Sequence, residues 1–207
     1  MRRPGGRRGL TALWVVLLSS GVLMFAYPFA TDLYTHRLQQ RLERQFASPS
    51  FVDAYRLHKI KVGQGLTRLR IPKIGLDVVV VEGSTPAALR AGAGHYISTP
   101  LPGDKGNVGI AGHRTTYGHP FNKLDLVTPG SKIYLDTPFA TFEYTAVKSW
   151  DGAPNPHPVA PDDISVLDQP TKGHWLTLTT CHPKGSAAER LILRATLTGQ
   201  SFKKIKA

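Results

Sequence analysis

The sequence has a single cysteine among its 207 residues, so a disulfide within the chain is impossible. Acidic residues are also scarce: 14 Asp and Glu stand against 26 Lys and Arg, which gives a formal net charge of +12. Histidine, cysteine and carboxylate residues do not cluster at metal-ligand spacing, and no glycine-rich loop has the pattern of a phosphate or dinucleotide site. We therefore expect no metal and no cofactor.

A charge this basic suggests nucleic-acid binding, but its distribution argues against that function. Much of it lies at the two ends of the chain. The basic residues at the ends are Arg2, Arg3, Arg7, Arg8, Lys203, Lys204 and Lys206. No arginine-rich recognition helix, zinc spacing or aromatic single-strand platform accompanies them. An anionic membrane or cell-wall surface explains the charge better, so we expect no nucleic-acid partner.

One uncharged apolar segment runs from Leu10 to Phe29. At a rise of about 1.5 Å per residue, a helix of this length crosses a hydrocarbon core of about 30 Å. Trp14 and Tyr27 lie near its two ends, where amphipathic rings favour the membrane interface. Because arginines precede the segment, the sequence predicts a cytoplasmic tail over 1–9 and an uncleaved signal-anchor over 10–30. A cleaved signal peptide is the alternative.

The next segment, residues 31–62, is polar with a sparse apolar repeat. The apolar residues at helical spacing are Leu33, Leu38, Leu42 and Phe46. Ser48-Pro49-Ser50 then interrupts the pattern. The repeat predicts a stalk helix between the cell membrane and an extracellular domain over 63–207, and a disordered linker is the alternative that it leaves open.

Beyond about Gly65, short β-branched runs are separated by Gly, Pro, Asn and Asp, which is typical of a β domain. The predicted strands are Leu69–Ile71, Val78–Val81, Asn107–Ala111, Lys132–Leu135, Thr141–Trp150, Trp175–Thr180 and Leu191–Leu197. Thr85–Ala91 is predicted as a short helix, because Thr85 can cap it and Pro86 fits its first position. Many short strands with little helix predict a mainly β fold, either a closed barrel or a sandwich of about 135–140 residues.

The cysteine lies at the end of a predicted strand. In WLTLTTCHP, leucines alternate with threonines as in a half-buried strand, and Cys181 follows just before Pro183 turns the chain. A strand end that opens into a loop holds a side chain on a rigid support within reach of solvent. Cys181 is therefore a candidate nucleophile, although a lone cysteine is also compatible with a small buried side chain.

A nucleophilic thiol needs a neighbouring imidazole or guanidinium, because the thiolate is its reactive form. Of the eight histidines, His113 ends the apolar run NVGIAGH, so it can meet Cys181 across a sheet. Arg190 opens the last predicted strand, where its guanidinium could hold a carbonyl or a developing oxyanion. A solvated surface side chain is the alternative for both residues.

These residues form a pattern that resembles the sortase family. TLTTC at 177–181, GIAGH at 109–113 and Arg190 match the family's TLxTC motif, its essential histidine and the arginine of its last strand. IPKIGLDVVVVEG and LRAGAGHY also look like its early strands and short helix. The resemblance covers about residues 69–198, and it implies a closed β-barrel of about eight strands with one or two short helices.

Three segments of the sequence are similar to segments of the class E sortases of high-GC actinobacteria. These segments are LPGDKGNVGIAGHRTTYGHPF, TTCHP and SAAERL. This resemblance implies an LAxTG-type sorting signal in preference to LPxTG, with Tyr117, Thr116 and Thr180 as substrate-binding residues. His119 departs from the class, in which a small residue is expected, and class D is the competing subclass.

The resemblance implies a cysteine transpeptidase. The Cys181 thiolate would attack the Thr–Gly carbonyl of a sorting signal on a secreted protein. His113 would protonate the leaving amine and then activate the incoming one, while Arg190 would stabilise the oxyanion. The acceptor would be an amine of peptidoglycan or of its lipid-linked precursor. A thiol hydrolase, a pilus-polymerising sortase and a non-enzymatic surface module are the alternatives.

Overall fold

The structure is a computed structural model, and it describes residues 5–46, 48–150, 152–170 and 172–203. The α-helices in these ranges are α1, Gly5–Phe46; α2, Pro49–Arg56; and α3, Pro86–Leu89. Part of the predicted cytoplasmic tail and the last basic residues of the chain lie outside the described residues.

The remaining elements are short strands joined by tight turns. They are β1, Gly65–Ile71; β2, Leu76–Glu82; β3, Ala93–His95; β4, Gly106–Gly112; β5, Lys132–Asp136; β6, Ala140–Ala146; β7, Ser149–Trp150; β8, Ala153–Pro154; β9, His157–Val159; β10, His174–His182; and β11, Glu189–Phe202. Three single turns of 3₁₀-helix, at Pro72–Ile74, Leu124–Leu126 and Ser165–Leu167, complete the described elements.

Eight of these strands close into a barrel. Neighbours pair in the order β10-β4-β3-β2-β1-β5-β6-β11, and β10 also pairs with β11, so the sheet returns to its first strand. β9 pairs with the first residues of β11, on the same edge that β6 occupies further along that strand. β7 pairs with β8 as a separate hairpin. The prediction of a mainly β fold with a closed barrel of about eight strands and a preceding apolar helix is confirmed.

The barrel encloses one apolar core. Alternate residues of each strand point inward, so Leu69, Ile110, Leu135, Tyr144 and Leu178 all lie fully buried in a single cluster. The leucines of β10 therefore anchor the strand in the core. This packing fixes the position of the strand end at which Cys181 lies.

The predicted strands lie within observed ones, with one exception. Residues 141–150 were expected to form a single strand, but the chain leaves the barrel after Ala146 and resumes as β7. The prediction is wrong there because Asn155 reaches back across the break and donates from Nδ2 to the Val147 carbonyl, at 2.8 Å. β3 was not predicted, since Ala93-Gly94-His95 contains none of the β-branched residues that indicate a strand.

The short helix α3 has the capping expected from its sequence. Thr85 is the N-cap, and its hydroxyl oxygen accepts a hydrogen bond from the Ala88 amide at 3.2 Å, while Pro86 occupies the first turn. The predicted helix over 85–91 is therefore observed over Pro86–Leu89.

The first half of α1 has the length and composition of a membrane span. An 18-residue stretch of this helix has a mean hydropathy of 2.0, and none of that stretch is buried in the protein. The apolar side chains at 10–29 are exposed, as expected for a helix that faces lipid.

The second half of α1 packs against the barrel. Residues 31–46 continue the same helix, and Leu38, Leu42 and Phe46 contact an apolar cluster on β2 and around α3. Ser48 then caps α2, whose buried Phe51 lies with its ring centroid 4.9 Å from that of Phe46. The predicted stalk is thus helical over these ranges and lies against the domain, while the domain boundaries at 31, 62 and 63 stay predictions.

Candidate active site

Cys181 lies near the end of β10, and the two neighbours of this strand supply the other candidate residues. In the antiparallel pair of β10 and β11, Cys181 lies directly opposite Arg190. In the parallel pair of β10 and β4, Thr179 lies opposite Ala111. β4 ends at Gly112, and His113 is the next residue, two positions beyond the last paired residue, as Cys181 is on β10. The barrel therefore brings His113, which is 68 residues away in the sequence, to the same end of the sheet as Cys181 and Arg190.

Thr180 connects the two strands at this level. Its hydroxyl donates to the Gly112 carbonyl at 2.7 Å, and the side chain is buried. Sequence resemblance suggested that Thr180 binds substrate, whereas its hydroxyl is directed at β4. In this structure the residue before the thiol is therefore bonded to the residue before the imidazole.

The His113 ring is half-buried and lies against an aromatic neighbour. The centroid of the Tyr117 ring is 5.2 Å from that of His113, at an interplanar angle of 41°. Burial disfavours the charged imidazolium and lowers the pKa of His113 below its ordinary value of 6.5. A mostly neutral imidazole can take up and release a proton, as acid–base catalysis requires.

The Arg190 guanidinium is held by its own turn. Its Nη1 donates to the carbonyl oxygens of Ala187 at 3.0 Å and Glu189 at 3.1 Å. These bonds fix the guanidinium against the turn that leads from β10 to β11. On the far side of β11, Arg190 pairs with Val159 of β9, so the arginine lies between Cys181 and this added strand.

A second arginine, which no sequence motif indicates, lies behind the site. Arg114 follows His113, and its side chain is only 3% exposed. Its Nη1 lies 3.4 Å from the Cys181 carbonyl and 3.2 Å from His182 Nδ1, while Nη2 pairs with Asp125 at 2.9 Å. Arg114 thereby joins the turn after His113 to the backbone of Cys181. In the sequence it is one basic residue among 26 Lys and Arg.

The turn after His113 contains the other predicted substrate residues. Tyr117 and His119 have left-handed φ angles of +52° and +35°, and the Thr116 carbonyl accepts from the His119 amide at 3.0 Å. The structure thus brings Tyr117 next to His113 and places Thr116 in the same half-buried turn.

His119, the residue that departs from the class E pattern, contacts α1. Its Nδ1 lies 3.5 Å from Asp32 Oδ2, and Asp32 Oδ1 accepts from the Gly118 amide at 2.9 Å. Its partner, Asp32, is more than 80 residues away in the sequence, so local pattern could not reveal the pair.

Comparison with known proteins identifies the family of this chain. The Sortase domain family matches residues 69–198, which span the barrel from β1 to β11. The chain belongs to the sortase family. Sortases are cysteine transpeptidases, so the fold around Cys181 is that of an enzyme family.

Several sortases resemble this one. Sortase SrtE1 of Streptomyces coelicolor is 30% identical over 93% of this chain and 58% of its own length. Sortase D of Bacillus subtilis is 31% identical over 65% of both chains. The structure of the SrtF sortase from Corynebacterium diphtheriae has a TM-score of 0.66 and 30% identity, covering 70% of this chain and 90% of that one.

These comparisons confirm the resemblance to the sortase family, and a class E sortase of an actinobacterium is among the similar proteins. The chain spans less than two thirds of the length of the two curated relatives above.

Proposed function

We propose that this sortase cleaves an LAxTG-type sorting signal between Thr and Gly and transfers the released acyl group to an amine of the cell wall. The observation that carries the proposal is the register of β10 with its two neighbours. It pairs Cys181 with Arg190 on one side, and on the other side the paired residues of β4 end at Ala111, two residues before His113, which supports an arginine and a histidine as partners of the thiol.

In the proposed reaction, the Cys181 thiol passes its proton to His113, and the thiolate attacks the Thr carbonyl carbon. His113 then gives that proton to the leaving glycine amine as the C–N bond breaks, which leaves a thioester. The incoming amine loses a proton to His113, attacks the thioester and expels the thiolate, which takes the proton back from His113. Arg190 stabilises the oxyanion of both tetrahedral intermediates, because its guanidinium is permanently charged and donates in a fixed fork.

Tyr117 and Thr116 are proposed as substrate contacts, since their turn lies beside His113. Thr180 is proposed to support the site through its bond to Gly112 and to border the substrate with its backbone. The resemblance to class E supports LAxTG over LPxTG as the signal.

We further propose that α1 anchors the enzyme in the cell membrane, with the N-terminus in the cytoplasm and the barrel outside. The exposed apolar stretch of α1 supports a span, and the arginines before Leu10 support the orientation. The donor would be a secreted protein, and the acceptor would be peptidoglycan or its lipid-linked precursor.

The test uses the full-length chain in detergent with an LAxTG peptide, an LPxTG peptide and an amine acceptor. Mass spectrometry should detect a thioester on Cys181 and an amide product whose yield rises with amine concentration. If only the free acid forms at every amine concentration, the enzyme is a thiol hydrolase and transpeptidation is wrong. A twofold or smaller preference between the peptides would contradict the assignment of the signal.

A further inference from the structure

The contacts between α1 and the barrel are polar as well as apolar. Gln39 bonds to two backbone segments: its Nε2 donates to the carbonyls of Val79, at 2.9 Å, and Ala91, at 2.6 Å, and its Oε1 accepts from the Val79 amide at 2.9 Å. Thr35 is buried and donates to the Arg90 carbonyl at 2.8 Å. These bonds satisfy buried backbone groups of the barrel, so they stabilise the helix in this position.

Two glycines allow this close approach. A Cβ on Gly118 would lie 2.9 Å from Thr35 Cγ2, and a Cβ on Gly92 would lie 2.9 Å from Gln39 Nε2. Both glycines also have left-handed φ angles, of +71° and +135°, which other residues rarely adopt. The barrel surface is therefore shaped to receive residues 32–46 of α1.

The contacts follow a fixed order along the helix. Leu42 and Phe46 lie over β1 and β2, Gln39 and Thr35 come next, and Asp32 binds the Gly118 amide in the turn after His113. The turn after His113 is thus the part of the barrel that contacts α1 closest to its apolar half.

Tyr27 extends this series into the apolar segment. Its hydroxyl oxygen lies 3.3 Å from that of Tyr117, whose ring is 5.2 Å from His113. At about 1.5 Å per residue, Tyr27 lies only about 5 Å below Ala30, where the proposed span ends. Tyrosine favours the level of the lipid headgroups, so Tyr117 and the His113 ring beside it lie near that level.

We infer that α1 holds the barrel with its active-site end at the bilayer surface, so that the enzyme acts on peptide segments that emerge directly from the membrane. The inference rests on the proposed anchoring and transpeptidation. It adds a lipid surface as a partner of the turn at 115–120, and it makes the distance between the scissile bond and the membrane a determinant of specificity.

The proximity of the active site to the bilayer can be measured without an activity assay, because Cys181 is the chain's only cysteine and can be labelled selectively. The full-length protein is labelled there with a haloacetamide fluorophore, reconstituted in liposomes and quenched by lipids that carry a nitroxide on the headgroup. In a lifted variant, seven residues of Ala and Gln, about two helical turns, are inserted between Ala30 and Thr31. This variant keeps residues 32–46 of α1 packed on the barrel and lifts the barrel by about 10 Å.

We expect quenching in the parent protein to be at least twice that in the lifted variant. The matched control has the same seven residues between Gly9 and Leu10, where they do not lift the barrel, and it should be quenched like the parent. Tyr27→Phe controls for the loss of the tyrosine pair. Equal quenching in the parent and the lifted variant, or none in the parent, would overturn the inference.

The consequence for specificity is tested with the same proteins. The substrates carry the sorting signal at increasing distances from their own membrane-spanning segment. Because an extended chain advances about 3.4 Å per residue, the shortest spacer that is cleaved should be about three residues longer for the lifted variant than for the parent. An unchanged shortest spacer contradicts the role in specificity.

A soluble peptide should be cleaved equally by both proteins, which controls for damage to the site. If the parent cleaves no peptide at all, the proposed transpeptidation is wrong, while the quenching still decides the placement at the membrane.

Discussion

The hydroxyl of Thr180 donates a hydrogen bond to the carbonyl of Gly112 at a distance of 2.7 Å. The bond joins the residue before the candidate nucleophile to the residue before the candidate acid–base. β4 and β10 are parallel neighbours as far as Ala111 and Thr179, and this side-chain bond continues their connection one residue further, toward the site. We therefore expect the separation of thiol and imidazole to depend on it.

Thr180→Val should lower kcat at least tenfold with little change in KM. Valine has nearly the same shape but cannot donate, so the buried Gly112 carbonyl loses its partner and the strand ends separate slightly. The free energy of unfolding should fall by about 1–3 kcal/mol. Steady-state kinetics and urea unfolding measure the two effects.

Thr177→Val is the matched control for this change. Thr177 is buried on the same strand, and its hydroxyl donates to Asn107 Oδ1 at 2.7 Å, away from the site. It should lose comparable stability but keep its kcat. An equal loss of kcat in both variants would mean that general destabilisation, and not the position of Thr180, reduces activity.

Cys181→Ala should abolish thioester formation and turnover while leaving the protein folded. The cysteine is half-buried at a strand end, so its loss removes little apolar contact and the melting temperature should change by no more than about 2 °C. Differential scanning fluorimetry and mass spectrometry of the intact protein test both parts. A large drop in melting temperature would indicate a packing role for the cysteine instead.

Arg190→Lys should reduce kcat/KM by about 100-fold although the positive charge is kept. An ammonium is a compact charge that cannot reproduce the planar fork, and it cannot hold both turn carbonyls and an oxyanion in the same way. Arg194→Lys, on the same face of β11 and next to Trp150, is the control for disturbance of the strand. Wild-type kinetics for Arg190→Lys would remove this residue from the site.

The alternation of apolar and polar residues was sufficient to predict a mainly β fold, because it is a local property, and the resemblance to the sortase family then selected a barrel over a sandwich. The three site residues were selected because strands that end in small-residue turns tend to present side chains to solvent, and their roles stay predictions. Cys181, His113 and Arg190 each stand at such a position. Their grouping follows from the order in which the strands pair.

The contacts around the site could not be predicted in the same way. The Asp32–His119 pair and the contacts of Arg114 link segments that no local pattern connects. The apolar repeat in α1 predicted a helix but not the surface on which it packs. That surface depends on Gly92 and Gly118, whose lack of a side chain matters only once the helix lies against them.

The pKa of His113 should respond to Tyr117. Burial holds this pKa below 6.5, and the Tyr117 ring is one of the groups that cover the imidazole. Tyr117→Ala should therefore raise the pKa of His113 toward its ordinary value, whereas Tyr117→Phe should leave it nearly unchanged. NMR titration of the imidazole protons measures the pKa, and equal values in the alanine variant and the parent would contradict the role of the ring.

The lowered pKa of His113 also has a consequence for stability. Since the native protein binds this proton less readily than the unfolded chain, the contribution of His113 to stability is fully present above about pH 6.5 and is lost as the pH falls through the lowered value. Between those two values, the parent should lose stability more steeply on acidification than Tyr117→Ala. Urea unfolding at a series of pH values gives the two slopes, and identical slopes would contradict the assignment to His113.

Arg114→Met should weaken the connection between the turn after His113 and the end of β10, where Cys181 lies. The guanidinium is buried behind the site and contacts the Cys181 carbonyl, His182 and Asp125, so methionine keeps much of the volume but none of these bonds. Because Asp125 is 41% exposed, its carboxylate can regain water, and we expect the free energy of unfolding to fall by only about 1–3 kcal/mol.

A positioning role for Arg114 predicts a larger effect on catalysis than on binding. In Arg114→Met, kcat should fall at least tenfold, while KM should stay within about twofold. Asp125→Asn is the control, because it weakens the outer ion pair and leaves the contacts to Cys181 and His182 in place. A folded Arg114→Met enzyme with the parent's kcat would show that the guanidinium only supports the fold.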